Sequence, residues 1–121
     1  MELKIEKFLR LVTGLLLPPD TVCVEETVLG TDESGIVGYM FQIGEVNLDV
    51  ALTNNRDEWT FTLDTIKGGR KILMVTVLYQ HAWYSMSIRA KDVETTRKFR
   101  DASSIPWDEV GKEIGKALSD I

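Results

Sequence analysis

The chain has 121 residues, 44% of them hydrophobic and 27% charged, with a net charge of −5; this is a globular composition and excludes extensive disorder. Its apolar runs, such as Leu15–Leu17 and Ile72–Val75, fall far short of the roughly 20 residues a membrane span requires, so no membrane partner is expected. One cysteine, Cys23, and one histidine, His81, exclude an internal disulfide and a zinc site of the usual spacing; neither cofactor nor metal is expected.

The length suits a single domain over residues 1–121. Glu2 and Glu6 alternate with Lys4 and Lys7 at the N-terminus, unlike the basic start and unbroken apolar stretch of a signal peptide, and the expected address is cytoplasmic. Charge is divided along the chain. Residues 20–64 hold ten acids and one base, whereas residues 67–100 hold eight bases and two acids. Such asymmetry bears on association and steering rather than on fold.

In chain order, Ile5, Phe8, Leu9, Val12, Leu15 and Leu16 recur at spacings of three and four, which predicts an amphipathic helix. Pro18 and Pro19 end it. Val22, Val24 and Val28 alternate with polar residues as in a half-wet strand, and Gly30–Gly35 carries turn chemistry. Residues 35–43 are apolar on both sides, which suggests an interior strand. Val46, Leu48, Val50 and Leu52 form the clearest alternating strand, followed by a turn at 54–57. Trp59, Phe61 and Leu63 alternate up to Lys67-Gly68-Gly69-Arg70, a glycine pair suited to a two-residue hairpin. Residues 72–79 are again apolar on both faces, and Tyr84, Met86 and Ile88 alternate after them. Asp92 is read as the cap of a short helix with Glu94 first and Arg97, Lys98 and Arg100 last. Pro106 opens a final helix with an apolar stripe of Trp107, Val110, Ile114, Leu118 and Ile121. The expected fold is α+β: a curved, mostly antiparallel sheet of about six strands, with the N-terminal helix and the C-terminal helices packed on one face.

No catalytic constellation accompanies this pattern. Tyr79, His81 and Trp83 fall on one face if the strand continues through them, and amphipathic rings of this kind favour recognition over acid–base work by a lone histidine. Glu45, Asn47 and Asp49 recur at every second position, the mark of a solvated sheet face rather than of a cation site. Arg89, Lys91, Arg97, Lys98 and Arg100 are expected to neutralise nearby acids on the folded surface; the acidic balance and the lack of a recognition motif argue against nucleic acid.

The expected function is therefore that of a small acidic protein-binding module without catalysis, steered by charge to a basic protein partner. Its contact residues are expected to be Glu25, Glu26, Asp32, Glu33, Asp57, Glu58 and Trp59, followed by Tyr79, His81 and Trp83. In architecture alone the chain resembles small bacterial or phage accessory proteins that bind another protein: inhibitors, immunity proteins and secretion chaperones, although the last insert a helix among their strands and none is read here. The alternative is a small-ligand-binding protein or cavity enzyme with an apolar pocket near His81, Asp49 or Asp64. Two strands apolar on both faces and an over-apolar first helix further predict a homodimer.

Overall fold

The computed structural model describes residues 2–19 and 21–119. Helix α1 (Lys4–Leu16) is followed by seven strands: β1 (Val22–Gly30), β2 (Ser34–Ile43), β3 (Val46–Asn55), β4 (Glu58–Lys67), β5 (Arg70–Gln80), β6 (Trp83–Ala90) and β7 (Val93–Phe99). A 3-10 turn at Ala102–Ser104 leads into α2 (Trp107–Ser119). The strands lie side by side in sequence order and each pair is antiparallel, so the sheet is an open up-and-down meander.

The sheet thus has seven strands rather than about six, and one α-helix rather than two follows it. The segment from Asp92 to Arg100, expected to be helical, contains β7. Its charge order matches a helix dipole, but Val93, Thr95, Thr96 and Phe99 favour a pleated surface. Pairing with β6 decides the outcome: Lys91 takes a left-handed φ of 59° and returns the chain so that Val93 lies opposite Ala90. Ile121, the last residue of the expected C-terminal stripe, lies outside the described residues.

Both helices cover one face of the sheet. Ile5, Leu9, Val12 and Leu16 of α1 and Val110 and Ile114 of α2 share a single buried cluster with Leu48, Leu52, Phe61, Leu63 and Val75 of the strands. The helices run in the same sense: the Phe8 and Trp107 rings lie 6.4 Å apart near their starts, and Leu16 approaches Gly111 further on. At the start of α1, Gly35 is buried against Ile5 and the Thr31 carbonyl, where a side chain would collide with backbone. A glycine is required there for the β1–β2 turn to sit beneath the helix.

The helical cover stops short of β1. All nine residues of this edge strand are exposed, including Val22 at 60%, Val24 at 50% and Leu29 at 60%. Its two faces are both wet. Sequence alternation identifies the strand, but cannot tell a half-buried strand from one beyond the edge of the helical layer.

Candidate binding surfaces at the two ends of the sheet

In a meander, successive turns fall at alternate ends of the sheet. The β1–β2, β3–β4 and β5–β6 turns therefore share one end, and the β2–β3, β4–β5 and β6–β7 turns share the other. The first end collects Asp32, Glu33, Asp57, Glu58 and the His81–Ala82 tip, with Arg56 and Arg100; the second collects Lys67, Arg70 and Lys91, with Glu45 and Asp92. Topology converts part of the charge asymmetry of the sequence into a difference between ends. Both helices start at the acidic end, where Asp108 and Glu109 stand in the first turn of α2 and complement its positive terminus.

Asp32 has a structural task at that end. Its carboxylate accepts a hydrogen bond from the backbone N–H of Lys4 at 2.8 Å, capping α1 from a distant turn, while its carbonyl accepts the Asn54 side-chain amide. The Glu33 carbonyl accepts the Arg56 N–H. Two turns and a helix terminus are thereby tied together around a cleft of about 780 Å³, which Asp32, Glu33, Asp57 and Trp59 line together with Lys4 and Arg56. Four of the ten residues singled out from the sequence thus meet at one cleft. Glu58 follows Asp57 at the same end, whereas Glu25 and Glu26 project from opposite faces of the exposed edge β1.

The aromatic residues divide differently from the sequence expectation. Trp59 lies opposite Tyr79 and Tyr79 opposite Tyr84 on the helix-covered face, and the Trp59 ring is 5.5 Å from Phe8, 6.2 Å from Tyr79 and 5.9 Å from Tyr84. This cluster closes the acidic end of the core. His81 and Ala82 form the turn itself, with φ of 54° and 63°, so alternation is broken and Trp83 emerges on the other face. There the Arg100 guanidinium sits 3.9 Å from the centre of its ring. Tyr79, His81 and Trp83 therefore do not share a face. A two-residue turn closed without glycine or asparagine gives no sequence signal.

Elsewhere on the open face, Asp49 lies directly opposite Asp64 across β3 and β4. One Asp49 carboxylate oxygen is buried without a hydrogen-bond partner, and burial, reinforced by the neighbouring Asp64 carboxylate, raises its pKa. Asp64 pairs instead with Lys71 at 3.3 Å, so acids and bases of the two sequence blocks cancel across the β4–β5 hairpin. Asp49 is half-buried rather than solvated; the register that places it beside a second carboxylate is not readable from either strand alone. Among the described residues, no group of three or more His, Cys, Asp or Glu is arranged to hold a metal ion, and no helix is long and apolar enough to cross a membrane.

The opposite end is open. Residues Arg70–Ile72 of β5 extend past the last β5–β6 pair, Leu73 and Ala90, and leave a notch beside the β6–β7 turn. With the C-terminal half of α2 it forms a cleft of about 1010 Å³, whose lining includes Lys67, Arg70, Lys71, Arg89, Lys91 and Lys116. Of the five bases expected to neutralise nearby acids, Arg97 pairs with Glu109, whereas Arg89, Lys91, Lys98 and Arg100 have no acidic partner at ion-pair distance among the described residues. Within the cleft Lys71 and Lys116 pair with Asp64 and Glu113, and Lys67 and Arg70 are likewise without such a partner. Neither cleft is lined by His81, Asp49 or Asp64, the residues about which the sequence suggested an apolar pocket. The chain matches no protein-family model, no curated protein and no solved structure.

Proposed function

We propose that this chain is a non-catalytic protein-binding module that takes up a basic, extended segment of a partner protein along the edge strand β1. The observation that carries this proposal is the exposure of all nine residues of β1, an apolar strand left without helical cover. An edge strand presents unpaired N–H and C=O groups that a further strand can satisfy, with alternating side chains supplying specificity. Val22, Val24, Val28 and Leu29 offer apolar contacts, and Glu25 and Glu26 flank them on both faces.

Acidic residues at this edge and at the adjoining turns steer a basic segment and disfavour an acidic one. Of the sequence-derived contact set, Glu25, Glu26, Glu33, Asp57 and Glu58 act in steering, while Asp32 holds the helix cap. Trp59 and Tyr79, in β4 and β5, and His81 and Trp83 beyond them lie at least three strands from β1 and take no part in strand addition. A homodimer through β1, paired antiparallel about the middle of the strand, uses the same exposed residues but crowds Glu25 and Glu26 near the same two acids of the second copy, which favours a basic partner over a second copy.

The test is fluorescence anisotropy with two nine-residue peptides, one alternating valine with lysine and one alternating valine with glutamate. Strand addition predicts binding of the basic peptide alone, weakened by salt and abolished by Glu25→Lys with Glu26→Lys but not by Glu45→Lys with Glu113→Lys. Equal binding of both peptides, or equal loss in both double variants, contradicts it. Light scattering that shows a dimer broken by the β1 variant assigns the edge to a second copy instead.

A further inference from the structure

The basic cleft at the opposite end takes no part in strand addition, and its composition is specific. Its floor is apolar: Leu73 is buried, and Ile72, Ala90 and Ala117 are partly buried around it. Its lining holds six bases and two acids, Asp92 and Glu113, in a chain that is acidic overall. Three of these bases, Lys67, Arg70 and Lys91, come from the β4–β5 and β6–β7 turns and have no ion-pair partner among the described residues, whereas Arg89 lies opposite Met74 and Glu94 on the other face of the sheet. Like charges brought together by two turns repel unless an anion joins them. The apolar floor is equally incomplete, because the β5–β6 ladder stops at Leu73 and Ala90 while β5 continues to Arg70.

We infer that this cleft is a second binding site, for an amphipathic phosphate: a small molecule whose apolar body lies over Leu73, Ala90 and Ala117 and whose terminal phosphate meets Lys67, Arg70 and Lys91. The volume of about 1010 Å³ is at the upper end of the range of small-ligand sites, which combine an apolar lining with a few charged groups that fix orientation. An arginine and two lysines match the multiple oxygens and double charge of a phosphate monoester better than a carboxylate. An inorganic ion alone leaves the apolar floor uncovered, and an uncharged lipid leaves the bases unpaired.

The site is tested by isothermal titration with dodecyl phosphate, held below its micelle concentration, and with 1-naphthyl phosphate, so that a chain-like and a ring-like body are distinguished. Saturable binding of one of them per chain is expected, with inorganic phosphate and dodecyl maltoside each at least about tenfold weaker because each fills only one half of the site. Arg70→Glu combined with Lys91→Asn is expected to weaken binding by at least about tenfold through loss of charge-assisted hydrogen bonds. Both positions are exposed, and asparagine tolerates the left-handed φ of 59° at Lys91, so the melting temperature checks that the fold survives. A third variant, Ala117→Phe, fills the floor without altering charge and is expected to weaken both organic phosphates but not inorganic phosphate. Equal affinity for inorganic phosphate or for the maltoside, indifference to the charge variant, or displacement of the ligand by a single-stranded oligonucleotide at lower phosphate concentration overturns the site. None of these outcomes bears on peptide binding at β1.

Discussion

The two ends of the sheet are built from the same hairpins yet are finished in opposite ways. At the acidic end, Phe8, Trp59, Tyr79 and Tyr84 pack ring against ring, and Phe61 meets Trp107 at 5.3 Å, so the core is sealed. At the basic end, β5 outruns β6 and the lining stays open. The turns differ as well. At the acidic end Arg56, His81 and Ala82 adopt positive φ beside a single glycine, Gly30, whereas at the basic end Gly44, Gly68 and Gly69 supply it beside a single non-glycine, Lys91. The acidic end thus combines ring packing beneath its cleft with more backbone strain in its turns than the basic end. Charge alone does not make the contrast; packing does.

This contrast can be broken first in the core. Phe61→Ala removes a fully buried ring from the sealed end, and urea unfolding should show a loss of about 3–5 kcal/mol. Leu73→Ala removes an equally buried side chain, but beside an open cleft into which water and neighbouring side chains can move. Its loss should fall near the lower limit for such truncations, about 2 kcal/mol. Equal losses at the two positions would erase the distinction between sealed and open ends.

Next come the turns, where the signs should oppose. Ala82→Gly relieves a left-handed φ of 63° and should stabilise the protein by about 0.5–1 kcal/mol after the greater freedom of glycine in the unfolded chain is subtracted. Gly69→Ala introduces a side chain into open space at φ 76° and should destabilise by about 1 kcal/mol through backbone strain alone. At the acidic end Asp32→Ala should also cost about 1 kcal/mol, the usual value of a helix cap, because the Lys4 N–H loses its acceptor.

The smallest effect is that of Asp49 on pH dependence. Its pKa is raised above the ordinary aspartate value by burial and by Asp64, so folding favours the protonated form. Its favourable contribution is complete below the unfolded pKa and disappears as pH rises through the higher folded pKa. Asp49→Asn should therefore match the parent chain in acid and exceed it at pH 7, by less than about 1 kcal/mol given its partial exposure. A parent chain more stable than the variant at pH 7 would reverse the sign.

The periodicity of α1, of β3 and of the glycine hairpin at Gly68–Gly69 is legible in the sequence because each element's own residues determine it. The identity of β7 is not, because glutamate followed by lysine and arginine suits a helix dipole until pairing with β6 intervenes. The His81–Ala82 turn escapes for a related reason: the closing residues lack turn chemistry, and the conformation is imposed by the pairs Gln80–Trp83 and Tyr79–Tyr84 around it. Charge segregation is visible at once, but its meaning depends on strand direction. Because successive strands alternate in direction, Asp32 and Asp57 fall at one end and Lys67 and Lys91 at the other. The nakedness of β1 is likewise a property of how far the helices reach, which no residue in Val22–Gly30 records.

The central claim is that β1 is an edge awaiting a basic strand, and amide hydrogen exchange reads it directly. Addition of the valine–lysine peptide should slow exchange in Val22–Gly30, whose outward amides have no strand beyond them, while leaving β7 at the other edge unchanged. Protection confined to β7, or exchange in β1 that is indifferent to saturating peptide, would contradict the account.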